Sequence, residues 1–469
     1  MHHVLSVASE CAPLVKTGGL ADVVGALPKA LAAHGVDMRV LLPGYPAVIA
    51  ALGKSSTVHQ IGDLFGGTAR LVEVQHESLP LLVLDAPHLF ERKGGIYLDE
   101  YGKDWPDNPA RFAALCRIAA EIASGHMLDW IPHTLHCHDW QAGLAPYYLA
   151  RQGSNVRSLM TIHNIAFQGL APAERCGALG IAPEDFVPDR VEYYGQISML
   201  KAGLLYASAI TTVSPTYAEE LLQPEFGMGF EGVLNARRDV LTGILNGIDE
   251  AVWSPEVDDH IEPYKRPRGK AANKKLLQKE FGLEPSHGPL CVVVSRLTEQ
   301  KGLDLLLQAL PSLLDRGGQL ALLGSGDSAL ERAFENYDHP NVSVRIGYDE
   351  ALSHRLIAGG DAILVPSRFE PCGLTQLYGL RYGTLPVVAL TGGLADTVID
   401  ANPMALASKV ATGLQFHPVT SDALAGALAK LCTIYANQKL WGKLQRNAMA
   451  QAVSWDTSAQ SYAKLYQAL

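Results

Sequence analysis

Short apolar runs alternate with amphipathic stretches along the whole chain of 469 residues. This alternation is typical of βα units that build a mainly parallel sheet. In the first half it predicts strands at residues 4–8, 36–42, 81–84, 134–138, 158–163 and 209–213. In the second half it predicts strands at residues 290–295, 319–323, 342–346, 362–366 and 385–389. We therefore expect an α/β protein with two Rossmann-like halves.

Residues 246–275 separate these halves, are rich in proline and charge, and lack a periodic apolar pattern. The length of the chain suits two or three domains, so a linker is expected here. The segment also holds a basic cluster, for which a polyanion site is one interpretation. The surrounding Pro and Gly residues favour the other, a solvated loop that enters a helix. The cluster consists of Lys265, Arg266, Arg268, Lys270, Lys274 and Lys275.

Composition narrows the class of protein. The formal net charge of −10 argues against nucleic acid or an anionic membrane surface as the main partner. Seven cysteines without a CxxC motif do not form a disulfide framework. The start of the chain lacks a signal-peptide pattern, and no run of about 18 apolar residues occurs. We expect a cytoplasmic protein without a membrane segment.

One hexapeptide, Thr-Gly-Gly-Leu-Ala-Asp, occurs twice, at residues 17–22 and 391–396. Each copy should follow a strand and open a helix. Paired glycines at a helix start leave backbone N–H groups to face an anion, and the helix dipole adds to the attraction. Lys16 would add a positive charge beside the first copy. The alternatives are an ordinary turn with a surface lysine, or close helix–strand packing at glycine.

Two cations follow the apolar strand predicted at 290–295, namely Arg296 and Lys301. Both should lie at the turn from this strand to the next helix. Fixed positive groups there suit a diphosphate that gains charge as it departs. Two solvated basic residues on a loop are the alternative.

Glu370 follows another buried strand, and a helix should begin near Gly373. A carboxylate there can bind sugar hydroxyls or stabilise positive charge at an anomeric carbon. The neighbouring amides of Gly373, Leu374 and Thr375 can receive phosphate oxygens. The alternative is that Glu370 only caps the helix.

The histidine-rich stretch around residues 133–140 has two interpretations. His136 and His138 should share one face of a strand, with Cys137 on the other. A metal site is not favoured, because no second Cys/His cluster completes a tetrahedral set. Asp139 and His163 should each end a strand and line a binding pocket, although a satisfied core histidine is the alternative for His163.

Together these motifs resemble the glycogen and starch synthases, which use a nucleoside-diphosphate glucose. The similar segments occur in the order of that family, at residues 16–22, 136–143, 161–164, 213–218, 246–249, 295–302, 369–374 and 391–394. They cover the chain from about residue 4 to the C-terminal helix. Many related retaining transferases carry a second glutamate eight residues after the first. Here that position is Tyr378, a departure that the glycogen synthase branch shares.

The resemblance implies the B-type glycosyltransferase (GT-B) fold, in which two Rossmann-like domains face a deep cleft. It places an N-terminal domain on the acceptor side at residues 1–245 and a linker at 246–275. A donor-binding domain would occupy residues 276–454. The C-terminal helix at 455–469 would cross back to the N-terminal domain.

The same resemblance implies roles for individual residues. It gives a catalytic group consisting of Glu370, Arg296, Lys301 and His163. It gives a substrate-binding group consisting of Lys16, Gly18, Gly19, Asp22, Tyr97, Asp139, Asn246, Tyr348, Cys372, Gly373, Leu374, Thr375, Thr391 and Gly392. Within it, Tyr97 lies near the donor and acceptor, and Tyr348 stacks on the adenine.

The implied reaction is transfer of glucose from ADP-glucose to the 4-hydroxyl of glycogen or a maltooligosaccharide, with retention of configuration. We expect no cofactor and no metal. The alternatives are a two-Rossmann sugar-nucleotide epimerase, a non-catalytic glucan-binding relative and a pyridoxal-phosphate phosphorylase. Physical reasoning from the sequence leaves ADP against UDP open.

Overall fold

The computed structural model describes all residues of the chain, Met1–Leu469, which divides into two compact units. Unit 1 comprises Met1–Asn246 and Trp455–Leu469. Unit 2 comprises Gly247–Ser454. No helix is both long enough and apolar enough to span a membrane.

Unit 1 is built on a nine-stranded sheet and a small three-stranded sheet. The strands are β1 (His2–Val7), β2 (Val36–Pro43), β3 (Ser56–Ile61), β4 (Ala69–His76), β5 (Leu79–Asp85), β6 (Thr134–His138), β7 (Arg157–Ile162), β8 (Leu170–Pro172), β9 (Glu192–Tyr193), β10 (Gln196–Ser198), β11 (Ala209–Thr212) and β12 (Leu241–Gly243). The helices are α1 (Gly19–Ala32), α2 (Pro46–Ala51), α3 (Pro87–Phe90), α4 (Asn108–Ala123), α5 (Leu144–Arg151), α6 (Met199–Tyr206), α7 (Pro215–Glu220) and α8 (Glu231–Ala236).

The large sheet has the order β12-β11-β7-β6-β1-β2-β5-β4-β3. It is parallel from β12 to β5, and β4 pairs antiparallel with both β3 and β5. Chain connections run outward in opposite directions from β1 and β6, which are neighbours. A crevice forms at such a switch point, outside the carboxyl ends of the strands.

Unit 2 contains one six-stranded sheet that is parallel throughout, in the order β15-β14-β13-β16-β17-β18. Its strands are β13 (Leu290–Val294), β14 (Gln319–Gly324), β15 (Val342–Ile346), β16 (Ala362–Val365), β17 (Leu385–Ala389) and β18 (Leu414–Phe416). Its helices are α9 (Lys270–Phe281), α10 (Leu303–Leu314), α11 (Ser328–Glu335), α12 (Glu350–Gly359), α13 (Thr375–Tyr382), α14 (Gly392–Thr397), α15 (Pro403–Ser408), α16 (Ser421–Ala436) and α17 (Gln438–Met449). The switch point lies between β13 and β16.

The last helix, α18 (Asp456–Ala468), belongs to unit 1. Its buried Tyr462 and Tyr466 share a hydrophobic cluster with Val23 and Leu27 of α1. The Tyr466 hydroxyl also lies 2.8 Å from Nδ1 of His136 on β6. Apolar burial and one buried hydrogen bond therefore hold the end of the chain in this unit.

The segment predicted as a linker, residues 246–275, is instead folded into unit 2 from Gly247 onward. Helix α9 begins within it, at Lys270, and Trp253 is 7% exposed. The Trp253 ring stacks on His354 and Tyr378, with centroid distances of 3.7 and 3.8 Å. The buried Asp258 carboxylate accepts hydrogen bonds from Tyr382 and His354. Aromatic stacking and buried hydrogen bonds therefore hold this segment in unit 2, although its sequence has no periodic apolar pattern.

Candidate active site

Most of the predicted site residues of unit 2 lie around its switch point, after the carboxyl ends of β13 and β16. Lys301 lies on a turn before α10, and its ammonium is 2.6 Å from Oε2 of Glu370. The same carboxylate oxygen accepts a hydrogen bond of 2.8 Å from the Ser367 hydroxyl. Glu370 is 6% exposed and the Lys301 side chain 18%, so this ion pair is largely shielded from water. The structure brings together two residues that the sequence placed only on separate loops.

The structure excludes the simple capping interpretation of Glu370. Helix α13 begins at Thr375, its N-cap is Leu374, and no side chain caps it. The carboxylate bonds instead to Lys301 and Ser367 through Oε2, and the protein donates no hydrogen bond to Oε1. That oxygen is therefore available to a sugar hydroxyl.

Arg296 and a row of backbone amides complete this set. Arg296 follows β13, is exposed, and has no carboxylate within 4 Å. The amides of Gly373, Leu374 and Thr375 precede or begin α13, and no backbone carbonyl pairs with them. Gly373 has a φ of +73°, a conformation that favours glycine. An unpaired guanidinium and free helix-start amides, on loops that follow the neighbouring strands β13 and β16, are groups suited to binding an anion.

The second copy of the repeated hexapeptide supports the Glu370 loop directly. Thr391 is the N-cap of α14, and the amide of Gly393 donates to the carbonyls of Glu370 and Pro371 at 3.1 Å. A Cβ at Gly392 would lie 2.0 Å from the carbonyl oxygen of Glu370. Close backbone packing, one of the alternatives for this motif, therefore accounts for glycine at this copy.

The first copy differs, because its amides already face an internal anion. The Glu10 carboxylate accepts hydrogen bonds from the amide and hydroxyl of Thr17, at 2.5 and 2.6 Å, and from the amide of Gly18 at 3.2 Å. The Tyr97 hydroxyl donates to it at 2.6 Å. The expected mobile charge of Lys16 is paired with Asp22 at 2.9 Å, and Gly19 begins α1.

Glu10 and Ser367 are site residues that the sequence reasoning missed. Glu10 is 3% exposed and lies at the carboxyl end of β1, beside the switch point of unit 1. A carboxylate two residues after the predicted strand at 4–8 was the available signal. Ser367 offered none, because its role depends on the fold of the loop that it shares with Glu370.

Asp139 and His163 meet at the carboxyl ends of β6 and β7. Asp139 has a φ of +53°, and its carboxylate accepts a 2.7 Å hydrogen bond from the His163 amide. The His163 ring lies 2.9 Å from Nδ1 of His138, whose Nε2 lies 3.1 Å from the Ser6 hydroxyl. Burial lowers the pKa of His163 to about 3, so the ring is neutral near pH 7. It can therefore exchange hydrogen bonds, but it carries no charge.

Asp139 supplies a pH-dependent prediction. Burial raises its pKa from 3.8 to about 7, although hydrogen bonds from two amides oppose the shift. Between these values the folded protein holds a proton on Asp139 that the unfolded chain has lost, so the contribution of Asp139 to the free energy of unfolding should fall as pH rises from about 4 to 7. Asp139→Asn should lack this component. Urea unfolding of both proteins across this range measures it, and parallel curves would contradict the prediction.

Two other predicted residues have distinct surroundings. Asn246, the last residue of unit 1 before Gly247, is 9% exposed, and its Oδ1 has no hydrogen-bond partner. A buried amide oxygen without a partner is uncommon, and it marks a position where a ligand hydroxyl can bind. Tyr348 follows β15, is 75% exposed, and hydrogen-bonds to Glu350.

His136 and His138, which were expected to share one face of a strand, have ring centroids 4.1 Å apart. The chain holds no group of three or more His, Cys, Asp or Glu side chains that could bind a metal ion.

Comparison with known proteins defines the class first. A family model described as the starch synthase catalytic domain matches residues 3–236, and a second, glycosyl transferases group 1, matches residues 275–449. Sucrose-phosphate synthase from Thermosynechococcus elongatus has the same fold, with a TM-score of 0.61 at 19% identity over 100% of this chain and 99% of that one. The fold is that of the GT-B glycosyltransferases.

The family follows from nearer relatives. The glycogen synthase of Paracoccus denitrificans is 61% identical over 100% of both chains, and that of Jannaschia sp. is 61% identical over 100% of this chain and 99% of its own. The catalytic domain of starch synthase IV from Arabidopsis thaliana, bound to ADP and acarbose, is 32% identical. It covers 100% of this chain and 99% of its own, with a TM-score of 0.88. The chain belongs to the glycogen and starch synthase family.

Proposed function

We propose that the chain transfers glucose from ADP-glucose to the free 4-hydroxyl of an α-1,4-glucan, with retention of the α configuration. The names of the full-length relatives support the reaction, and the Arabidopsis domain bound to ADP and acarbose supports the donor and acceptor classes. The observation that carries the proposal is the Lys301–Glu370 ion pair, which joins the loop of the unpaired Arg296 to the loop of the free amides.

These groups suit departure of a nucleoside diphosphate. Arg296 and the amides of Gly373 and Leu374 offer fixed positive charge and dipoles where the leaving group gains negative charge. Such preorganised groups need little rearrangement during the reaction. Lys301 neutralises the buried Glu370 and adds to the positive field. Oε1 of Glu370 remains to orient a hydroxyl of the transferred glucose.

A front-face mechanism fits the residues better than a double displacement. A double displacement needs a second carboxylate placed to attack the anomeric carbon. Tyr378, eight residues after Glu370, is 7% exposed and stacked on Trp253, so it has a packing role. We infer that the departing phosphate takes the proton of the acceptor hydroxyl.

A donor and acceptor assay tests the reaction. Purified protein with labelled ADP-glucose and short maltooligosaccharides should release ADP and lengthen the glucan. A parallel reaction with UDP-glucose tests the nucleotide, and we expect ADP-glucose to be preferred. Isomerisation of the donor without an acceptor would indicate an epimerase instead, and no turnover of either donor would indicate a binding protein.

Metal independence is part of the same proposal. Glucan extension should proceed at an unchanged rate after EDTA treatment, because cations of the chain would neutralise the diphosphate. Restoration of a lost activity by added Mg²⁺ would contradict this point.

A further inference from the structure

Unit 2 contains a depression of about 810 Å³ at the edge of its sheet opposite the Arg296 and Glu370 loops. One wall is formed by Asp361, which directly precedes β16 and accepts a hydrogen bond from the amide of Leu290 at the start of β13. The Arg296 and Glu370 loops follow the other ends of the same two parallel strands. Strands of four or five residues separate the two edges by about 15 Å. The depression is therefore distinct from the candidate active site.

The walls of this depression are strongly basic. They include one acidic residue, Asp361, which pairs with Lys274 at 2.6 Å. The walls also include six cationic residues, which come from the loop before α9, from α9 itself and from α17. These are Lys265, Arg266, Arg268, Lys270, Lys274 and Arg446. The chain as a whole has a net charge of −10, so this local excess does not reflect overall composition.

Three of these cations form no ion pair within the chain. Arg266, Arg268 and Arg446 are exposed, and no carboxylate lies within 4 Å of any of their guanidinium groups. They come from two separate segments, the loop before α9 and helix α17. Unpaired arginines that line one depression repel each other, and a bound anion would remove that cost.

The start of α9 adds to the positive potential. Its first turn contains no acidic residue, although a helix N-terminus favours negative charge. The ammonium of Lys270, the first residue of α9, is buried and donates to the Ala358 carbonyl and the Thr384 hydroxyl, each at 2.7 Å. Burial lowers its pKa to about 7, so a neighbouring anion would favour its charged form. Helix stability alone does not explain this arrangement.

We propose that this depression binds a small ligand that carries at least two phosphate groups. Planar guanidinium groups recognise phosphate by paired hydrogen bonds, and three of them are available. The volume lies within the range of about 300–1,000 Å³ that is usual for small-molecule sites. Sugar bisphosphates and free pyrophosphate share the required chemistry, so both are needed as probes.

Titration calorimetry with fructose 1,6-bisphosphate and with inorganic pyrophosphate tests the proposal. The wild-type protein should bind at least one probe saturably, and the Arg266→Ala/Arg446→Ala variant should bind it at least tenfold more weakly. Arg316→Ala is the matched control, because Arg316 is an exposed arginine of unit 2 outside the depression. It should bind like the wild type. Binding of the bisphosphate but not pyrophosphate would identify the sugar as part of the ligand.

Arg446→Lys separates specific recognition from general attraction. It keeps the charge but loses the paired geometry, so binding should weaken by several-fold. Equal affinity in the wild type and the double variant, or no saturable heat with either probe, would overturn the proposal. Heats reproduced by potassium chloride at matched ionic strength would overturn it too. The readout is binding, so failure here leaves the glucosyltransferase assay unaffected.

Discussion

Arg296→Ala is expected to lower kcat about 100- to 1,000-fold while leaving the free energy of unfolding within about 0.5 kcal/mol of the wild type. The guanidinium is exposed and has no carboxylate partner, so folding does not depend on it. Its loss removes a positive charge that would stabilise the departing diphosphate. Initial rates of ADP release at saturating donor and acceptor, with urea unfolding of the same preparations, measure both quantities.

Lys301→Ala and Glu370→Ala should lose at least as much turnover as Arg296→Ala. Unlike Arg296→Ala, they should also lower the free energy of unfolding. Each breaks a shielded ion pair and leaves the partner uncompensated, which typically costs up to about 3–5 kcal/mol when the pair is fully buried. The contrast with Arg296→Ala separates a catalytic loss from a folding loss. Arg316→Ala is the control for removal of an exposed arginine. Near-normal turnover in all three site variants, with folding intact, would refute the assignment.

Gly392→Ala should lower activity by at least about 100-fold and destabilise the protein by about 1–3 kcal/mol. Gly392 has a φ of +43°, and a Cβ there would lie 2.0 Å from the carbonyl oxygen of Glu370. The new methyl group must therefore move the loop that holds Glu370. A shift of about 1 Å at a reacting group can cost about 100-fold in rate. Turnover and thermal unfolding of the variant measure both effects.

Gly18→Ala is the matched stability control, since Gly18 occupies the same place in the other copy of the hexapeptide. Its φ is −157°, and a Cβ there would meet no atom within 4 Å. Loss of a glycine N-cap should cost at most about 1 kcal/mol. Equal destabilisation by the two substitutions would show that steric contact at Gly392 is not the reason for its glycine.

The buried strands were predictable because parallel strands covered on both faces appear as continuous apolar runs. The predicted bounds at 134–138 and 385–389 match the buried strands β6 and β17, and those at 342–346 match the half-buried edge strand β15. The antiparallel pair β3 and β4 was missed, since Ser56–Ile61 is mostly polar and exposed at the sheet edge. The three-residue strands β12 and β18 were missed because their apolar runs are too short to stand out.

The candidate site residues were likewise predicted only in part. Motifs at strand ends placed Arg296, Lys301 and Glu370 at one sheet edge, because carboxyl ends of parallel strands share an edge. The Lys301–Glu370 pair and the Glu10 contacts with Thr17 and Gly18 could not be predicted. They join loops that are distant along the chain, and their distances depend on how the strands are ordered.

The repeated hexapeptide shows most clearly what only the tertiary structure decided. Local chemistry was enough to place both copies at helix starts, since paired glycines after a strand permit that turn in either unit. The conformation of each copy depends on what packs against it. The first glycine of the hexapeptide is Gly18 in one copy and Gly392 in the other. Gly18 is extended beside the Glu10 carboxylate, whereas Gly392 is left-handed against the Glu370 carbonyl. Identical residues therefore have different roles, because long-range contacts select among backbone conformations that glycine makes equally accessible.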